Sequence, residues 1–238
     1  MMARRHVMGL LAVGMALLLG ACGVDSTPTY RYRLTVEVDT PEGLRSGSSV
    51  IEVETSRGRS AANPAGTVVI NKLRGQAAIV DLGARGMMFA LLRSEHNVDW
   101  AKNIMFLMAP PGVDADGDRF LGTYKNMLAM DEEITLPRTL DQVNSALAGM
   151  SGLPMLVTFG DITDPTSVAL VDPDDFSATF GENVTLRRIT VQMTDDPVTD
   201  GILDVLPWWG KLREMNLKIE DFPSGIPLGD FSGMFKKD

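Results

Sequence analysis

The sequence predicts an α+β fold, mainly antiparallel β-sheet with a few covering helices. Three observations carry that prediction. Residues 30–39 alternate apolar and polar side chains without a break, the signature of a half-buried strand. Further short apolar runs are separated by Gly, Pro, Asn and Asp, as in a sheet of antiparallel strands. Only the middle third spaces its apolar residues as helices do. With 238 residues, 45% of them hydrophobic and 22% charged, the chain can form one large domain or two small ones. The same values exclude wholesale disorder and a polytopic membrane protein.

The elements follow in order. Tyr30, Tyr32, Leu34, Val36 and Val38 form the apolar side of the first strand. Thr40-Pro41-Glu42-Gly43 turns the chain, Ser46-Gly47 loosens the return, and residues 49–55 supply the second strand of a hairpin. Residues 57–66, rich in Gly, Ser, Asn and Pro, read as a loop. Strands are expected at 67–71, 76–82 and 87–93, with Gly83-Ala84-Arg85-Gly86 as a turn. Residues 87–92 are apolar on both faces, which suits a central strand covered on both sides. Residues 97–108 fit either a helix or irregular chain. Helices are expected at 118–130, where Phe120, Leu121, Tyr124, Met127 and Leu128 share a stripe, and at 139–150, through Leu140, Val143, Leu147 and Met150.

Strand signals return at 155–159 and 167–171. Asp172-Pro173-Asp174-Asp175 reads as a helix start, with Gly181 as the stop. In residues 184–193 the apolar parity changes between Leu186 and Ile189, which predicts a β-bulge at Arg187-Arg188. A short helix at 199–206 should end at Pro207. Residues 211–220 read as a last strand. Domain boundaries follow: a leader at 1–21, a tether at 22–29, a β-rich globular domain at 30–220 and an irregular tail at 221–238.

The leader carries an address. Arg4 and Arg5 precede an uncharged run from Val7 to Leu19, and small residues follow, the order of a secretory signal peptide. The uncharged stretch ends at Asp25, short of the ~20 apolar residues of a spanning helix. Leu19-Gly20-Ala21-Cys22 resembles the lipobox of bacterial lipoproteins. The resemblance implies cleavage before Cys22 and a diacylglyceryl group on its sulfur, with acyl chains such as palmitate. Several acyl chains at about 0.8 kcal/mol per buried methylene anchor a protein stably. Gly23 stands where an Asp would resemble the inner-membrane retention signal of that family, so the implied destination is the outer membrane, with the body in the periplasm. The resemblance covers only the first tenth of the chain, and its implied partner is the lipid bilayer.

Charge and residue types bound the chemistry. The net charge is −9, and removing residues 1–21 with Arg4 and Arg5 leaves −11. Such a balance argues against nucleic acid as a partner. One cysteine excludes an intrachain disulfide and Cys-rich metal sites. The sequence has no phosphate-binding Walker loop, no dinucleotide fingerprint and no G-x-S-x-G elbow. No cofactor is expected. Asp114, Asp116 and Asp118 resemble the start of a calcium-binding EF-hand loop, but Arg119 stands where the loop glycine belongs and Lys125 where the bidentate acid belongs. They are a weak metal candidate. Ten acids between Asp161 and Asp204 could serve acid–base chemistry if their pKa values were pushed apart, though most sit in turn-like contexts. His96, with Ser94 and Asp99 nearby, is the only histidine outside the leader. In Trp208-Trp209, one ring should pack inside while the other lies partly exposed and available to an envelope partner. The expected function is therefore a non-enzymatic binding, structural or assembly-accessory lipoprotein of the cell envelope. The alternatives are a periplasmic hydrolase using carboxylates or His96, and an inhibitor or immunity-like protein whose acidic surface meets a basic partner.

Overall fold

A computed structural model describes residues 25–60, 63–212 and 214–238. The leader and Cys22 lie outside the described residues. The strands are β1 (Asp25–Ser26), β2 (Tyr30–Thr40), β3 (Gly43–Ser60), β4 (Asn63–Gln76), β5 (Ala78–Asp81), β6 (Met87–Ala90), β7 (Ile134–Thr135), β8 (Leu156–Phe159), β9 (Val168–Leu170), β10 (Thr185–Met193) and β11 (Lys236–Lys237). The helices are α1 (Trp100–Met108), α2 (Arg119–Leu128), α3 (Phe176–Phe180), α4 (Ile202–Val205) and α5 (Phe231–Phe235). All described pairings are antiparallel, so the fold is α+β as the sequence predicts.

The chain divides into two compact units. In the larger, residues 28–54 and 71–238, one sheet runs β11-β4-β3-β2-β10-β7 and a second runs β5-β6-β8-β9. The predicted alternation of β2 holds: Tyr30, Tyr32, Leu34, Val36 and Val38 are all buried. They face α1, which buries Trp100, Ala101, Ile104 and Met105. The Tyr32 hydroxyl donates to the Ala101 carbonyl at 2.7 Å and the Trp100 indole to the Gly152 carbonyl at 3.2 Å. The polar ends of these rings are thereby satisfied inside the core.

The smaller sheet is a wall between two apolar cores. Met88, Ala90 and Leu92 enter the first with β2 and α1, while Phe89 and Leu91 enter the second. That alternation explains why residues 87–92 are apolar throughout. Gly47 marks where the two sheets meet: a Cβ there would collide with the Ile79 carbonyl of β5. The glycine expected to loosen a turn instead lies within β3 and permits a close backbone approach.

The bulge falls where predicted. β10 pairs Leu186 with Val38 but Arg188 with Glu37, leaving Arg187 as the extra residue. Ile189 and Val191 then return to the buried face. The bulge also lets two consecutive arginines meet carboxylates from one side of β2. Arg187 forks onto Asp39 at 2.6 and 3.0 Å, and Arg188 onto Glu37 at 2.8 and 2.9 Å.

Four expectations are corrected. Residues 139–150 form two 3-10 turns, Leu140–Gln142 and Ser145–Leu147, rather than a helix. Asn144 caps the second turn by accepting from the Ala146 amide, and of the expected stripe only Leu140 is buried, so little tertiary packing favours a longer helix. The described residues of 211–220 are turns, 3-10 helix and irregular chain rather than a strand, with Asn216 at φ +44° breaking the extended run. The tail at 221–238 is ordered: Phe222, Ile226, Phe231, Met234 and Phe235 are buried in the second core, and β11 pairs with Gly75 and Gln76. Finally, the expected loop at 57–66 is strand up to Ser60 and again from Asn63.

The smaller unit, described for residues 25–27, 55–60 and 63–70, explains that last correction. Part of the expected tether is the strand β1, which pairs Asp25 with Arg57 and Ser26 with Ser56 of β3. Thr27 donates to the Thr55 carbonyl through its amide at 3.1 Å and its hydroxyl at 2.8 Å. Among the described residues, no helix is long and apolar enough to cross a membrane.

Candidate functional site

The chain enters Trp208-Trp209 from α4, which starts after Gly201 at φ +110° and ends before Pro207. Trp208 is buried, and its indole donates to the Ile162 carbonyl at 3.0 Å. Its ring packs 5.8 Å from Phe159, 5.7 Å from Phe231 and 6.1 Å from Phe235, centroid to centroid. Trp209 stacks on Trp208 at 6.0 Å and is only half-buried. One ring therefore belongs to the second core and the other reaches the surface beside it.

The acids expected near Asp114 hold backbone. Asp114 Oδ1 accepts from the amides of Asp116 at 3.0 Å and Asp118 at 2.7 Å, and Asp118 caps α2 by accepting from Leu121 at 3.0 Å. Among the described residues, no three His, Cys, Asp or Glu side chains converge as a metal cluster. Several of the acids between 161 and 204 follow the same pattern. Asp161 accepts from the amide and hydroxyl of Thr163, Asp164 from those of Thr166, and Asp175 from the Ala178 amide at the start of α3.

Hydrogen bonds to the charged form lower the titration of Asp161, Asp196 and Asp200. The Thr163 hydroxyl and amide hold Asp161 below the usual aspartate value. The Thr194 hydroxyl, together with Arg33, does the same for Asp196, and the Gly201 amide with Lys236 for Asp200. A general acid at neutral pH needs a shift in the opposite direction. The His96 side chain is 73% exposed with Glu95 Oε1 3.9 Å from Nε2, and Asp99 accepts from Lys102 at 2.7 Å. Ser94, His96 and Asp99 are not brought together as a triad.

Two surface cavities come from residues that sequence spacing does not join. The first, about 390 Å³, is lined by Arg31, Arg74, Lys236 and Lys237 together with residues 197–200 and Asp238. Glu52 holds Arg31 at 2.7 Å and Arg74 at 3.1 Å, a ladder across β2, β3 and β4. Lys236 pairs with Asp238 at 2.8 Å and Asp200 at 3.4 Å, and Lys237 with Asp230 at 2.9 Å. The Asp238 carboxylate, with Asp200 beside it, raises the Lys236 ammonium above the usual lysine value. Each cation already has its counter-charge, so the groove offers a polar, mixed-sign surface rather than an anion hole. The second cavity, about 570 Å³, places Tyr30, Leu128, Met130 and Met193 beside Arg31, Glu52, Asp131 and Asp195. Burial, with Tyr124 alongside, pushes the Tyr30 phenol well above its ordinary value and keeps it neutral. The sequence signal for the first groove was no more than a charged C-terminus, Lys236-Lys237-Asp238.

No family model matches the chain, and neither a curated protein nor a solved structure matches it.

Proposed function

We propose that this chain is a lipid-anchored protein of the bacterial envelope, held at the outer membrane by acyl chains on Cys22 and facing the periplasm. Its body works by non-covalent binding, as a structural or assembly-accessory protein. The observation that carries the anchor is positional. The chain's single cysteine closes Leu19-Gly20-Ala21-Cys22, after a basic start and a short uncharged run. A binding role is supported by Trp209, a half-buried ring presented on a rigid aromatic base, the kind of anchor on which interfaces concentrate their energy. It is also supported by the use of the candidate catalytic acids Asp161, Asp164 and Asp175 as turn and helix caps.

Cys22→Ser tests the anchor. The variant should leave the membrane fraction for a soluble or unprocessed form, with unchanged urea unfolding of the body. A variant that is cleaved before residue 22 and still sediments with membranes as wild type does would contradict the proposal.

A further inference from the structure

The larger of the two surface cavities lies where β2 begins, where β10 ends and where the chain from α2 approaches β7. Every residue that lines it belongs to the larger compact unit. Hydrogen bonds hold its walls. The Thr194 amide donates to the Arg31 carbonyl at 3.0 Å, and Gln192 Nε2 to the Asp131 carbonyl at 3.1 Å. Its floor is apolar. Leu128, Met130 and Met193 are only partly buried against the first core, which leaves adaptable apolar surface open to the cavity beside Tyr30.

The charges around that floor are unequal. Arg31 is paired with Glu52 at 2.7 Å. Asp196 is held by Arg33 and by the Thr194 hydroxyl. Asp131 and Asp195 are exposed, and among the described residues neither carboxylate has an ion pair or a hydrogen bond. The unpaired charges of the cavity are therefore both negative, and they sit beside apolar surface. Two carboxylates over such a floor suit an organic cation better than a hard metal ion, which needs six or more oxygens.

We infer that this cleft takes an arginine side chain from a basic, apolar segment of a partner protein. The planar guanidinium would fork onto Asp131 and Asp195 while its methylene stem and its apolar neighbours cover Met130 and Met193. A volume of about 570 Å³ exceeds one side chain and accommodates those neighbours. The charge of −11 outside the leader favours encounter with a basic partner. The inference rests on the binding reading proposed above and deepens it, with a site that involves neither Cys22 nor Trp209.

The mature protein as purified from cells would be titrated with an acetylated, amidated leucine–arginine–leucine peptide carrying a fluorophore, read by anisotropy. Replacing the arginine by neutral citrulline, or both leucines by glycine, should weaken binding about tenfold or more. Asp131→Asn with Asp195→Asn should weaken it about tenfold at an unchanged urea midpoint. Asp116→Asn with Asp141→Asn, the same charge change on exposed acids that do not line the cavity, should leave it as in wild type. Equal weakening by the two double variants would overturn the inference in favour of the general acidity of the body. Equal affinity for the citrulline or the glycine peptide would overturn it as well. Competition by hexylguanidine at the peptide's own affinity would assign the cleft to a small organic cation and overturn the protein partner. No binding at millimolar peptide, with partner capture still weakened by Trp209→Ala, would overturn the inference and leave the binding reading standing. Failure of both would remove the two together.

Discussion

Trp208 donates to the Ile162 carbonyl and packs against three phenylalanines, whereas Trp209 covers it from the surface side. Trp208→Ala should cost roughly 3–5 kcal/mol in denaturant unfolding, since it leaves a large cavity and an unpaired carbonyl. Trp209→Ala should cost far less and should weaken capture of an envelope partner. Equal losses of stability from the two variants would contradict this division. The acids make a smaller, separate prediction. Asp118→Ala removes the cap of α2 and should cost about 1 kcal/mol, with or without calcium in the buffer. Added calcium that raises the wild-type melting temperature strongly would show that the Asp114–Asp118 turn serves as a site.

At the scale of elements, the bulge in β10 sets the register of its bulged end. Deleting Arg187 would set Leu186, opposite Val38, directly beside Arg188, opposite Glu37, so the bulge closes with the pairing of both halves kept and the exposed Arg187–Asp39 fork lost. The expected result is a nearly unchanged urea midpoint, because exposed ion pairs add little. The tail makes a stronger prediction. Ending the chain after Gly229 removes Phe231, Met234 and Phe235 from the second core and β11 from the sheet. Each phenylalanine is worth about 3–5 kcal/mol, so the truncated body should not accumulate folded. These two elements also show what the sequence could carry. Strand β2 and the bulge were legible because each depends on local parity, and the start of α3 was legible only to within a few residues, since Asp175 caps it and not Asp172 ahead of Pro173. The tail was not: its glycines and prolines describe turns, while its order comes from phenylalanines that meet Phe89 and Trp208 only in three dimensions. The same holds for Glu52 between Arg31 and Arg74, joined by strand pairing and not by spacing. At Gly47 the residue alone could not distinguish a turn from a close approach of β5.

For the whole molecule, the lowered carboxylates set the response to acid. Glu37, hydrogen-bonded by Arg188, and Asp161, Asp196 and Asp200 all have folded pKa values below their ordinary ones. Such groups contribute stability that is fully present above their unfolded values, near pH 4, and is lost as pH falls through the lower folded values. Urea midpoints should therefore hold from neutral pH to about pH 5 and then fall. Glu37→Gln should flatten the acid limb, and the exposure of these pairs keeps each individual contribution modest. A midpoint that rises below about pH 4 would show that other groups dominate. The account as a whole turns on the proposed anchor at Cys22. Intact mass and N-terminal peptide mass spectrometry of protein purified from membranes tests it most directly. The predicted result is a chain beginning at Cys22 with lipid mass on that residue. A free Cys22 thiol, or a chain starting at any other residue, would contradict it.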